Sequence, residues 1–266
     1  MARTTAPAVP AATILLVRDG GDGLEVFMVE RHHQIDFATG ALVFPGGKVD
    51  PADADPMLAN RCRGGSGLGD EQRAMRVAAI RETFEEAGVL LAYPRGGDAL
   101  IDGERLRSID AAYRDRLNEN ACTIVDVVEG EDLDLAFDGL VRFAHWITPV
   151  FMPKRFDTEF FLVPAPADHV AVHDGGESVD SVWTTPAAAI SAAEGGSRTI
   201  IFPTLMNVKK LGQSGTVAEA LSAAREQPVV TVFPQIEERD GERWMVLPED
   251  AGYEISAAPV AALMGG

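Results

Sequence analysis

The chain has 266 residues, 46% of them hydrophobic, which is enough for a large packed core. Its formal net charge of −18 repels DNA and RNA, so no nucleic-acid polymer is expected as a partner, while a small anion stays admissible where a bound cation and local basic groups reverse the sign. No apolar run reaches the roughly 20 residues of a membrane helix, and residues 1–10 lack a signal-peptide core, so no membrane and a cytoplasmic location are expected.

In chain order, Thr13 to Val17 and Leu24 to Glu30 are β-like runs around Asp19-Gly20-Gly21-Asp22-Gly23, which predicts a hairpin. Leu42 to Phe44 is a short apolar run ending at Pro45-Gly46-Gly47. Residues 50–70, rich in Asp, Gly, Ala and Pro, are expected to form an irregular surface insertion. Glu71 to Ala87 predicts a helix closed by Gly88. Residues 93–140 are acidic and helical in pattern, with helices over Glu104 to Asn118 and Cys122 to Val128. Strands follow at Ala144 to Met152, Glu159 to Val163, Val170 to His173 and Val179 to Trp183. Helices are expected at Pro186 to Ala193, Thr204 to Leu211 and Thr216 to Ala224, then strands at Val229 to Phe233 and Arg243 to Leu247. No repeat and no long linker divides the chain, so residues 1–266 are expected to form one domain. Cys62 and Cys122 lack metal spacing and are too few for a disulfide framework. His32, His33, His145, His169 and His173 show no zinc-like spacing and are expected to be structural or at the surface.

The segment Arg81-Glu82-Thr83-Phe84-Glu85-Glu86-Ala87-Gly88-Val89 carries the chemistry. At about 100° per residue Glu82, Glu85 and Glu86 fall on one stripe, with Val77, Ile80, Phe84 and Ala87 on the other side facing a core. Like charges four residues apart repel, and a divalent cation would offset that. All-oxygen donors suit Mg²⁺, with Mn²⁺ as the alternative. Upstream, Gly46 and Gly47 permit close backbone approach to a ligand. Arg81 stands four residues before Glu85, within reach to brace it.

This segment resembles the second half of the Nudix box, G-x5-E-x7-R-E-U-x-E-E-x-G-U, with U a bulky apolar residue. Arg81, Glu82, Glu85, Glu86, Gly88 and Val89 match position by position, and Thr83 departs at the first U. The resemblance implies an α/β fold, a Nudix α/β/α sandwich with a mixed sheet and a helical insertion at 93–140. It implies metal ligands at Glu82, Glu85 and Glu86 and a bracing role for Arg81. The first half of the box is interrupted. Counted forward from Gly47 its first Glu falls on Asp53, and counted back from Arg81 it falls on Arg73, so neither receives a role.

Two further sites are weighed. Glu177, in the turn Asp174-Gly175-Gly176-Glu177, stands six residues before Trp183, a spacing that the resemblance associates with a further metal ligand or catalytic base. Lys154 and Arg155 form a basic pair in an acidic chain and are candidates for gripping substrate phosphate, together with Gly46 and Gly47. The stretches Val43 to Asp50, Ala78 to Leu91, Trp146 to Pro149 and Pro153 to Thr158 are similar to the coenzyme A diphosphatase branch. That similarity implies hydrolysis of a diphosphate link in coenzyme A or acyl-CoA, with Glu86 or Glu177 taking the proton. NADH, ADP-ribose and a non-catalytic ligand sensor are the rivals. A nucleotide-derived small molecule is the expected partner, and a homodimer is left open.

Overall fold

Alternation along β1 (Val9–Gly20) sets the layering of the fold. Ile14 and Leu16 enter one core and Leu15 and Val17 another, all four fully buried, because successive side chains of a strand leave on opposite faces. A strand apolar on both faces needs cover on both. This computed structural model describes residues 6–31, 40–175 and 178–260, with the backbone alone for Arg31, Ser178 and Val179.

The elements run as follows. β2 (Gly23–Arg31) returns along β1 as the predicted hairpin, with Gly20 opposite Gly23. β3 (Leu42–Val43) and β4 (Gly46–Lys48) come next, then two 3₁₀ turns (Pro51–Ala54 and Pro56–Asn60) and β5 (Cys62–Arg63). The central helix α1 (Asp70–Ala87) is followed by β6 (Ala92–Pro94), α2 (Gly103–Ile109), a π turn (Asp110–Arg114), α3 (Asp115–Asn118), α4 (Ile124–Gly130) and β7 (Leu133–Ala136). β8 (Val141–Ile147), β9 (Phe156–Pro164) and β10 (Ser178–Thr184) lead to α5 (Pro186–Glu194), α6 (Phe202–Leu211) and α7 (Val217–Glu226). β11 (Thr231–Val232), β12 (Gln235–Arg239), β13 (Glu242–Val246) and β14 (Ala257–Pro259) close the described chain.

The main sheet has the order β10-β2-β1-β9-β8-β11, with β3 added on β2 and β4 on β1. β1 and β9 are parallel from Val9 opposite Phe156 to Val17 opposite Pro164, and β11 is parallel to β8. The hairpin partners are antiparallel, so the sheet is mixed, as expected. α1 and the helices of the 93–140 segment cover one face, and α5, α6 and α7 cover the other. Helix on sheet on helix is therefore the layer order.

Several elements differ from the sequence reading. Residues 50–70 lie mostly at the surface, as expected, but are not irregular throughout: Asp50 and Asp55 cap the two 3₁₀ turns, and Asp53 and Leu58 are buried. The 93–140 segment is not wholly helical, because β6 and β7 join β5 in a small sheet of order β5-β7-β6. The strand from 144 stops at Ile147, where Thr148 begins a turn whose carbonyl and hydroxyl are taken up by Arg155 and the Phe156 N–H. Val170 to His173 is not a strand. It passes under the end of α1, with the Val172 N–H donating to the Ala87 carbonyl, and Val170 and Val172 stay exposed.

α1 is the helix on which the arrangement rests. Phe84 is fully buried in the core formed with Ile14, Leu16 and Phe161. Gly88 ends the helix at φ 66°, and its N–H bonds back to Phe84, a left-handed conformation that favours glycine. Replacing Phe84 with Ala should cost about 3–5 kcal/mol, seen as a lower denaturation midpoint with an unchanged slope. A loss under 1 kcal/mol would show that α1 is not anchored by this ring.

Candidate active site

α1 presents no simple division into apolar and acidic faces. Val77, Ile80, Phe84 and Ala87 are buried as predicted, but Arg81, Thr83 and Glu86 are buried as well. The cause is that α1 is covered on several sides, by β1, β4 and the first 3₁₀ turn. Thr83, the polar residue at an apolar position of the motif, is accommodated because its hydroxyl donates to the Ala79 carbonyl at 2.8 Å.

Arg81 organises the cluster. Its Nε and Nη2 donate to the two oxygens of Asp53, both at 2.9 Å. Nη2 also donates to the Lys48 carbonyl at 2.9 Å. Nη1 donates to Glu82 Oε1 at 2.9 Å and to Glu85 Oε2 at 2.8 Å. A guanidinium has five N–H donors, and these contacts engage every one. Burial pulls the guanidinium below its ordinary pKa, but Asp53, Glu82 and Glu85 outweigh that and hold it above. Burial raises Asp53, with Arg81 opposing. Burial also pushes Glu85 up to about 7, against the pull of Arg81 and with Glu82 adding to the rise.

The glycines place β4 directly against these acids. A side chain on Gly47 would meet the Glu82 carboxylate at 2.5 Å, and one on Gly46 would meet the Ala12 carbonyl oxygen at 2.5 Å. The Gly46 N–H donates to Glu86 Oε2 at 2.9 Å. The close approach that the sequence assigns to a ligand is thus made by the protein's own glutamates. Among the described residues no three His, Cys, Asp or Glu side chains form a ready cage for an ion. Glu82 and Glu85 turn to Arg81, and Glu86 turns to Gly46.

The structure therefore brings together Gly46, Gly47, Arg81, Glu82, Glu85 and Glu86. It adds Asp53, to which the sequence reading gave no role. The forward count from Gly47 was the informative signal, because the extra residues lie after Asp53. Arg73 lies in the first turn of α1, bonded to Asp70 and the Leu68 carbonyl, and does not meet Arg81. Arg155 is not joined to the cluster. Its Nε donates to the Thr148 carbonyl at 2.9 Å and its Nη1 to the Ala6 carbonyl at 2.7 Å, so it ties the β8–β9 turn to the start of β1. Lys154 is exposed on that same turn. Glu177 lies outside the described residues. Trp183 packs on Phe27 with centroids 5.4 Å apart, under the Arg18 guanidinium.

Removing the carboxylate of Asp53 tests the ion pair. Asp53→Ala leaves a buried guanidinium short of its closest counter-charge, and stability should fall by about 3–5 kcal/mol. A chemical-denaturation change of less than 1 kcal/mol would show that the pair is not a buried one in solution.

The NUDT19 Nudix domain family model matches residues 54–211, more than half of the chain. A putative nudix hydrolase 7 of Caenorhabditis elegans is 29% identical over 190 residues, covering 71% of this chain and 56% of the relative. The human acyl-coenzyme A diphosphatase NUDT19 is 28% identical over 206 residues, covering 63% of this chain and 55% of the relative. The chain thus spans little more than half the length of these relatives. The crystal structure of a NUDIX hydrolase from Alicyclobacillus acidocaldarius superposes with a TM-score of 0.65 at 28% identity, covering 82% of this chain and 97% of that one. The chain has the Nudix fold and belongs to the NUDT19 Nudix domain family.

Proposed function

We propose that the protein hydrolyses the diphosphate link of coenzyme A or an acyl-CoA at the Glu82, Glu85 and Glu86 cluster. The observation that supports this most is the placement of Glu82 and Glu86 against the Gly46-Gly47 backbone, with Glu82 and Glu85 held by one fully engaged arginine. The substrate class is carried over from the relatives named acyl-coenzyme A diphosphatase.

Water would attack one phosphorus of P–O–P, the bridging oxygen would leave with the other phosphoryl group, and a carboxylate would take the proton. For CoA the products are 3′,5′-ADP and a 4′-phosphopantetheine. The donor set fits a hard divalent cation. It is all oxygen, and Glu85 sits where burial and Glu82 disfavour ionisation, a condition that a cation reverses. One bond to Arg81 does not exhaust a carboxylate, which has about four lone-pair positions. Glu82, Glu85 and Glu86, with Glu177, would hold Mg²⁺ or Mn²⁺, which when bound neutralises charge on the phosphoryl oxygens and acidifies water. Arg81 fixes the orientation of Glu82 and Glu85. Glu86, set by the Gly46 N–H, is our assignment for the proton acceptor, with Glu177 as the other candidate. Gly46 and Gly47 keep the backbone near the scissile group, and Lys154, beside Arg155, is left as a substrate-phosphate candidate.

The test is turnover of CoA with Mg²⁺, followed by product mass, on the parent and on a Glu85→Gln/Glu86→Gln variant. Losing two ligands should remove several kcal/mol of transition-state stabilisation, at about 1.36 kcal/mol per tenfold in rate, and EDTA should abolish turnover of the parent. Near-parental activity in the folded variant, or a much higher kcat/KM for NADH or ADP-ribose than for CoA, would overturn the site or the substrate respectively.

A further inference from the structure

A second polar cleft, of about 180 Å³, opens between the first half of α1 and strands β8 and β9. Glu71, Met75 and Arg76 line it from α1 and face Arg142, His145, Asp157 and Glu159 of the sheet. In strand register it is level with the glutamate cluster. Glu159 pairs with Ala12, and Ala12 pairs with Gly47, the glycine against Glu82. On α1, Arg76 and Glu82 are six residues apart, so the cleft lies about 9 Å along the helix from the cluster.

Most charges in the cleft are already matched. Arg142 grips both oxygens of Glu159, at 2.6 and 3.0 Å. His145 sits between Asp157 and Thr231, at 2.5 and 2.9 Å. Arg76 is different. It is half-buried, with its guanidinium 5.1 Å from the Phe161 ring centroid. Among the described residues it makes a single hydrogen bond, from Nη1 to the Gln72 carbonyl, and has no carboxylate within ion-pair range. Burial pulls its pKa below the ordinary value, Glu159 opposes and Arg142 adds to the fall. Withdrawing a guanidinium from water without a counter-ion is unfavourable, and its remaining N–H donors match the oxygens of a phosphate. Glu71, Asp157 and Glu159 share the cleft with it, which disfavours a free polyanion and favours a single phosphate on a group carrying a hydroxyl that an acid of the cleft accepts from.

We infer that Arg76 binds a second phosphate of the substrate, on the ribose, while the diphosphate lies against Glu82, Glu85 and Glu86. This rests on the proposed CoA-type reaction and assigns the 3′-phosphate to Arg76 rather than to Arg155, whose Nε and Nη1 tie the β8–β9 turn to the Ala6 carbonyl and its own Thr148 carbonyl. One ribose separates the two phosphate positions, the same order of spacing as along α1.

The experiment pairs turnover with binding. kcat/KM is measured for CoA and dephospho-CoA on the parent, Arg76→Gln and Arg76→Lys, and calorimetry follows 3′,5′-ADP and 5′-AMP on the same proteins. The expected result is a preference for CoA and 3′,5′-ADP in the parent, lost by about tenfold or more in Arg76→Gln and partly kept in Arg76→Lys, with dephospho-CoA and 5′-AMP little changed. A folded Arg76→Gln that keeps the preference, or a parent that binds 3′,5′-ADP no tighter than 5′-AMP, overturns the assignment. If Arg76→Gln fails to fold, Arg76→Lys and the parent's discrimination decide in the same way. A parent that binds 3′,5′-ADP through Arg76 but cuts neither CoA nor dephospho-CoA supports the phosphate subsite and sinks the CoA reading alone.

Discussion

One guanidinium ties together the parts of the chain that matter for chemistry. Arg81 reaches from α1 to Asp53 in the 3₁₀ turn, to the Lys48 carbonyl at the end of β4, and to Glu82 and Glu85 on its own helix. The planar fork of Arg allows this, since it offers five donors in fixed directions. Asp53 does more than neutralise. Its Oδ2 also accepts the Asp50 N–H, which closes the turn that carries it, so the same carboxylate shapes the loop and holds the arginine. The two acids left with Arg81 are oriented by what remains of its valence.

The surroundings of Arg81 explain why the acids can crowd. Three carboxylates on successive turns of a solvent-facing helix would repel and spread. Here the helix is covered on several sides, Glu86 has the Gly46 N–H, and Glu82 lies against Gly47, where a Cβ has no room. β4 stays in place because it pairs with β1, a strand buried on both faces. Sheet core, β4 and glutamate are thus joined by direct pairing and contact, and preorganisation of that kind is what electrostatic stabilisation of a developing charge requires.

How far this was legible in the sequence depended on whether the signal was local. The α1 helix, the Gly88 stop and the β1–β2 hairpin follow from periodicity and turn residues, and the structure has them where the pattern put them, whereas the burial of Arg81, Thr83 and Glu86 on α1 is not in the pattern. Both-sided burial of β1 and β9 was visible only as apolar runs. Spacing reached Asp53 by the forward count from Gly47 but could not choose it, because the backward count from Arg81 disagreed and only the fold shows that the extra residues follow it. Composition placed residues 50–70 at the surface but missed their order, since Asp and Pro serve there as caps and turns around buried Asp53 and Leu58. The small sheet of β5, β6 and β7 is built from strands of two to four residues, too short to show a period. Arg155, a phosphate candidate by its charge, gives two of its N–H groups to the Thr148 and Ala6 carbonyls, which charge counting does not reveal.

The central claim is that the geometry of Arg81, beyond its charge, prepares the glutamates for a divalent cation. The direct measurement is calorimetric Mn²⁺ affinity of the parent and of Arg81→Lys, with both proteins shown to be folded. Lysine keeps the charge but supplies a compact ammonium in place of the five-donor fork. Mn²⁺ binding is expected in the parent, with a loss of about 10–100-fold in Arg81→Lys, the usual scale for a lost supporting contact. Equal affinity in the two proteins, or no Mn²⁺ binding in the parent, would contradict the claim.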